Sequence, residues 1–300
     1  MKRLIGCLLS AMMTMGGLAE DNKFEPYSAE LVKKAEAGDA IAQVNLGLCY
    51  FRGEGVPKDG KKSFEWCAKS AAQGNSIGEC NLGVCYQKGV GVDVDKKEAF
   101  KWYKKSAEQG DVGGQFAVAD CYKKGECVEK DEKEALKWLI KSAEGRYSPA
   151  QVALGMWYRK GDGVARNDEE AAKWFKIAAG QGSSTAQYNL GVLCANGEGL
   201  EKNPKEAFAW WMKSAEQGNS DGQRALGLSY ANGNGIEKNE KEAFAWWKKA
   251  AEQGNSGGQY SLGWCYANGF GIEVDGKEAL KWYTKAAEQG NGDAKKALVK

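Results

Sequence analysis

Histidine is absent from all 300 residues. That removes the general base of Ser-His and Cys-His catalysis and the imidazole ligands of the usual histidine zinc sites. Neither Ser-x-x-Lys nor Lys-Thr-Gly occurs, so the nucleophile and base of a serine β-lactamase are missing as well. On those absences the chain is expected not to be an enzyme and to hold no metal or cofactor. An excess of one charge is also lacking, with 42 Lys and Arg against 40 Asp and Glu. General nucleic-acid binding and adhesion to an anionic membrane thereby lose their electrostatic basis. After the first 19 residues no apolar run approaches the roughly 20 that a membrane-spanning helix needs. No transmembrane segment is expected in the mature chain.

The N-terminus reads as a leader. Lys2 and Arg3 form a basic start, Leu4 to Leu18 is mostly apolar, and Gly17-Leu18-Ala19 offers small residues before a cut ahead of Glu20. This is the anatomy of a cleaved secretion signal over residues 1–19. Leu4-Ile5-Gly6-Cys7 resembles a lipoprotein cleavage box, but it precedes most of the apolar run. Removal of Lys2 and Arg3 leaves acidic and basic residues in balance. The mature protein is expected to be exported, periplasmic or extracellular.

What the rest of the chain has is a period. Trp66, Trp102, Trp138, Trp174, Trp210, Trp246 and Trp282 recur every 36 residues without an insertion. Such a fixed interval marks stacked supersecondary units that bury their apolar faces against their neighbours. The organisation expected is a lead-in and capping helix over 20–38, seven repeats over 39–290, and the start of a capping helix over 291–300.

Each unit reads as a helical hairpin. In the first helix Ala42, Leu46 and Tyr50 stand four apart, as do Ala186, Leu190 and Cys194, which sets one buried stripe. A glycine follows the leucine at Gly47, Gly83, Gly155, Gly191, Gly227 and Gly263, with Ala119 in the third repeat. Glycine costs about 1 kcal/mol in a helix interior, so its return implies a partner helix too close for a side chain. Ser148 to Gln151, Ser220 to Gln223 and Ser256 to Gln259 read as capping boxes of first helices, and Asp95 to Glu98, Asp131 to Glu134, Asn203 to Glu206, Asn239 to Glu242 and Asp275 to Glu278 as those of second helices. Between the two helices runs Gly-x-Gly and an aliphatic residue, as at Gly53, Gly55 and Val56. No strand precedes these glycines and no Lys-Ser/Thr follows them, so they read as turns rather than phosphate loops. The tryptophan column, locked to the repeat, reads as core. The fold class predicted is all-α, a right-handed α-solenoid of helix-turn-helix repeats with a 36-residue period.

Ala-x-x-x-Leu-Gly-x-x-Tyr, Gly-x-Gly-Val, Lys-Glu-Ala-x-x-Trp and Ala-Glu-Gln-Gly together resemble the Sel1-like repeat, a relative of the tetratricopeptide repeat. The resemblance covers essentially the whole chain after the lead-in and implies an adaptor that scaffolds protein complexes, in bacteria often exported. A monomer binding a protein or peptide is expected. A cysteine-rich secreted subgroup of this family includes members resembling penicillin-binding proteins or weak β-lactamases, which supplies the alternative of an envelope glycan or β-lactam binder. The third repeat departs from the pattern at Ala119, Cys127 and Arg146.

By similarity to tetratricopeptide arrays, the exposed face of the first helices lines a concave groove. Five residues after the glycine column stand Arg52, Lys88, Lys124 and Lys160, then Asn196, Asn232 and Asn268. The groove is therefore expected to be basic in its first half and amide-rich in its second, with Val44, Phe116, Tyr188, Tyr260 and Trp264 adding apolar and aromatic contacts. Apart from Cys7, eight cysteines remain, an even count that invites disulfides in an exported chain. They lack the regular pair per repeat of the cysteine-rich subgroup. Cys67 with Cys80, and Cys121 with Cys127, are the local pairs the spacing suggests.

Overall fold

The structure, a computed structural model, describes residues 24–299; the leader expected over 1–19 lies outside them. The described residues form 16 helices and no strand. After α1 (Ala29–Glu36) come seven pairs: α2 (Ala40–Arg52) and α3 (Gly60–Ala72), α4 (Ser76–Lys88) and α5 (Lys96–Glu108), α6 (Val112–Lys124) and α7 (Glu132–Glu144), α8 (Ser148–Lys160) and α9 (Asp168–Gly180), α10 (Ser184–Asn196) and α11 (Pro204–Glu216), α12 (Ser220–Asn232) and α13 (Glu240–Glu252), α14 (Ser256–Asn268) and α15 (Gly276–Glu288). α16 (Gly292–Ala297) follows. The fold is an α-solenoid of helix-turn-helix repeats, as the period predicts. The chain divides between Leu154 and Gly155 into two compact units.

Side-chain acceptors start the helices. On the second helices Asp95 Oδ1 accepts from the Glu98 amide at 2.9 Å and Asn239 Oδ1 from Glu242 at 3.1 Å, as the sequence predicts. The glutamates do not complete the box: Glu98 pairs with Lys101, and Glu206 accepts from the Trp210 indole. On the first helices the cap lies one residue earlier than expected. Asn219 and Asn255 accept from Gly222 and Gly258, and Ser220 and Ser256 are already helical, as is Ser148. Asparagine is at least as good an N-cap as serine, and the glutamine meant to close the box is used elsewhere. Gln223 and Gln259 instead donate to the carbonyls of Ala215 and Ala251 on the preceding second helix.

The glycine column is where the two helices of a hairpin meet. A Cβ at Gly83 would lie 2.6 Å from the Tyr103 ring, one at Gly155 2.8 Å from Phe175, and one at Gly191 2.5 Å from Trp211. The ring against the glycine belongs to the residue after each repeated tryptophan. Tyr103 and Phe175 are fully buried and Trp247 nearly so. The repeated tryptophans, expected as core, are only half-buried. Six of the seven are covered by a lysine three residues on, as where Lys69 lies 3.9 Å over Trp66 and Lys249 3.9 Å over Trp246, while Trp174 has Ile177 at that place.

Two further devices join repeat to repeat inside each unit. Phe64 meets Tyr86 edge-on at 5.6 Å, and Phe244 meets Tyr266 at 5.5 Å. The glutamine of Ala-Glu-Gln-Gly makes a polar staple: Gln253 donates to Gln223 Oε1 at 2.7 Å, and Gln223 reaches back to Ala215. First helices of successive repeats also touch one another, α2 with α4 and α4 with α6 in the first unit, α10 with α12 and α12 with α14 in the second. Among the described residues of each unit, no comparable contact joins successive second helices. In each unit the first helices therefore converge on an inner face.

Candidate binding groove

In the first unit the predicted cations lie at the ends of α2, α4 and α6, each engaged within the protein. The Arg52 guanidinium is 3.5 Å from Glu54 and 5.2 Å over the Phe24 ring. Lys88 lies 5.6 Å over Phe51, and loss of solvent there pulls its pKa below the usual lysine value. Lys124 closes on Asp120 at 2.5 Å. Neighbouring carboxylates thus neutralise part of the basic strip that the residue count suggests. Phe116 was expected to line the groove, but it is only 6% exposed and stacks edge-on against Tyr147 at 5.6 Å. Val44 is fully buried. Both stand only three residues before the glycine column, a place close enough to the hairpin contact for a compact apolar side chain to be covered. Lys160, at the end of α8 in the second unit, is exposed.

The second unit holds a cleft of about 470 Å³ beside α10, α11 and α12. It brings together three of the predicted residues, Tyr188, Asn196 and Asn232, and adds Arg224, Lys202, Trp211 and Leu228, which the sequence reading did not single out. Two indoles set its backbone. Trp211 packs on Gly191 and donates from Nε1 to the Tyr188 carbonyl at 3.2 Å; Trp247 packs on Gly227 and donates to the Arg224 carbonyl, also at 3.2 Å. The glycine column that closes each hairpin thus also fixes the residue three places before it, on the inner face. Burial pushes the Tyr188 phenol above its usual pKa.

Arg224 is the unusual member of its column, where the other repeats carry Val44, Cys80, Phe116, Val152, Tyr188 and Tyr260. Its side chain lies along Gly257, where a Cβ would come 2.7 Å from Arg224 Cδ. Its Nε is shielded from solvent and donates to no protein acceptor. A cation standing in an otherwise apolar column was the available sequence signal. Nearby, Asn196 donates to Glu198 at 2.9 Å, and Glu198 also pairs with Arg159 at 3.2 Å. Further along, Asn268 donates to the Trp264 carbonyl at 2.8 Å, Trp264 is 37% exposed beside Phe270, and Tyr260 packs on Tyr283. Those three predicted residues lie on α14 and outside the cleft lining. A guanidinium held among aromatic, aliphatic and amide groups is suited to a carboxylate on an extended chain.

Neither of the two local cysteine pairs suggested by the spacing is joined by a disulfide. All eight among the described residues are free thiols. Cys67 was matched with Cys80 across the turn, but its thiol hydrogen-bonds Cys85, and Cys80 turns to the Ser106 side chain. The reason is helical direction: Cys67 faces the inter-helix seam where Cys85 lies, one and a half turns beyond Cys80 on α4. Cys121 and Cys127 are hydrogen-bonded to each other.

Comparison with known proteins agrees with the architecture. A family model described as the Sel1 repeat matches seven consecutive stretches, residues 40–75, 76–111, 112–147, 148–183, 184–219, 220–255 and 256–291. Among solved structures, a protective antigen of uropathogenic Escherichia coli strains displaying an SLR fold is 36% identical, with a TM-score of 0.74 over 90% of this chain and 58% of its own. A Sel1 repeat protein from Oxalobacter formigenes is 30% identical, with a TM-score of 0.74 over 83% of this chain and 96% of its own. The chain thus spans little more than half the length of the Escherichia coli antigen. No curated protein matches the sequence.

Proposed function

The chain belongs to the Sel1 repeat family, and from that premise we propose that it is a non-enzymatic scaffold that holds an extended acidic segment of a partner protein in the cleft beside α10 and α12. Proteins of this family are in general protein-interaction scaffolds. The observation that carries the finer reading is Arg224, a guanidinium on the inner face whose Nε lacks a protein acceptor while Asn232 and Tyr188 border the same cleft. Arg224 borders the cleft, and a ligand carboxylate there would pair with its guanidinium through charge-assisted hydrogen bonds. The leader read over residues 1–19 supports a role outside the cytoplasm. The cations of the first unit then act as secondary contacts, since Arg52 and Lys124 already face carboxylates.

The reading is tested by panning a random peptide library against the mature protein. Enrichment of sequences carrying Asp, Glu or a free C-terminal carboxylate, weakening as salt rises, supports it. Enrichment of neutral or basic sequences alone, or binders that ignore salt, would overturn it. Circular dichroism and chemical shifts at Asn232 and Tyr188 on titration locate the binders in the cleft.

A further inference from the structure

The connector after each first helix normally carries a second glycine in the left-handed region. At Gly91, Gly199, Gly235 and Gly271 a Cβ would run into the backbone at the start of the preceding second helix. In the third repeat this place is taken by Cys127, which does not adopt the left-handed conformation. The side chain that cannot enter that contact turns instead to Cys121 on α6, and the two thiols hydrogen-bond. Their access differs from that of the other close pair. Cys127 is 7% exposed at the protein edge, while Cys67 and Cys85 are sealed in the seam between α3 and α4.

We propose that Cys121 and Cys127 form a dithiol modification site for low-molecular-weight disulfides of the glutathione class, with Cys127 as the attacking sulfur and Cys121 as the resolving one. The assignment of roles follows access, since Cys127 is 7% exposed and Cys121 only 1%. The contact between the two thiols favours a thiolate at the outer one, and the ammonium of Lys96 helps against the nearby Asp120 and Glu126 carboxylates. Lys96 itself stands 3.1 Å from Glu126. In the first step the Cys127 thiolate attacks one sulfur of the disulfide, forming a mixed disulfide and releasing one thiolate, which takes up the proton Cys127 gave to solvent. In the second, Cys121 attacks Cys127 Sγ and the second small thiol leaves with the proton from Cys121. Two protein thiols lose two electrons and two protons, and one small disulfide becomes two thiols. The loop so closed contains Lys124, so the oxidised form pins the end of α6 that carries the Lys124–Asp120 pair.

The site is tested on the full mature chain with oxidised glutathione, quenching by acid, alkylation and peptide mass spectrometry. Cys127 should react at least about tenfold faster than Cys67 or Cys85, and the product should be a Cys121–Cys127 disulfide two hydrogens lighter than the dithiol. The Cys121→Ser variant should stop at a glutathionyl adduct on Cys127, and Cys127→Ser should leave Cys121 unmodified over the same interval. Equal reaction of Cys127 and Cys85, a lasting adduct in the wild type without ring closure, or adduct formation on Cys121 in Cys127→Ser would each overturn it. The wild-type rates and product decide the matter even where a variant folds poorly.

Discussion

The third repeat, Val112 to Tyr147, and the sixth, Ser220 to Asn255, have the same helices at the same interval but different chemistry inside them. In the sixth, Gly227 faces the Trp247 indole, Gln253 staples to Gln223, and Gly254 turns the chain at φ 77. In the third, Ala119 faces the smaller Leu139, Gly145 stands where the staple glutamine would be, and Arg146 takes the turn at φ 66. Volume is exchanged across the hairpin, so the helices keep their places. The polar staple is not replaced, and Gln115 Oε1 is left buried without a donor. Inner-face cations differ in the same sense. Lys124 is closed on Asp120, while Arg224 keeps an unmatched Nε. The fold tolerates change wherever size is conserved; binding capacity collects where a polar group is left without a protein partner.

The largest effect should come from the ring against the packing glycine. Trp247→Ala is expected to lose about 3–5 kcal/mol in denaturant melts, as a large-to-small core change. Trp246→Ala, next door but half-buried under Lys249, should lose only about 1 kcal/mol. Equal losses would remove the distinction between the buried column and the repeated one.

A second test concerns size exchange. Gly227→Ala should cost about 1–3 kcal/mol by forcing a methyl into the Trp247 ring. Ala119→Gly, in the repeat that has already made the exchange, should cost about 1 kcal/mol from helix propensity and lost contact. Should Gly227→Ala prove neutral in thermal melts, the close approach does not constrain the glycine.

Much of this was legible in the sequence, because a repeat displays each structural demand several times. The hairpin, the N-caps of the second helices and the close approach at the glycine column all follow from residue type and spacing. Where structure and sequence pattern differ, position in the repeat rather than residue identity decides the role. Tryptophan recurs by name and so reads as the core anchor, whereas the neighbour that packs on the glycine column varies among Cys67, Tyr103, Leu139, Phe175, Trp211, Trp247 and Tyr283 and hides its common role. The first-helix caps were displaced by one residue because Ser-x-x-Gln matched a motif, while Asn219 and Asn255 held the better acceptor. Arg224 was visible as an exception to its column, but its unmatched Nε depends on how the side chain lies along Gly257, which only the packed structure supplies. The Cys67–Cys85 contact likewise needs the seam between two helices.

A smaller gain should follow from repairing the third repeat's staple. Gly145→Gln alone should not help, since a Cβ there would run into the Val112 side chain. Combined with Val112→Ser, the residue most repeats carry at that place, it should raise stability by about 0.5–1.5 kcal/mol, as one recovered hydrogen bond would. A gain from the single change, or none from the pair, would mean that Gln115 finds its donor in solvent.

The contrast between the two inner-face cations gives the most direct test of the account. A peptide selected from the acidic pool should be titrated calorimetrically into the wild type, Arg224→Glu and Lys124→Glu, with helicity checked for each. The account predicts a loss of about 1.5–3 kcal/mol, ten- to a hundredfold in affinity, for Arg224→Glu, and less than about threefold for Lys124→Glu. Equal losses at the two positions, or unchanged affinity in a folded Arg224→Glu, would contradict it.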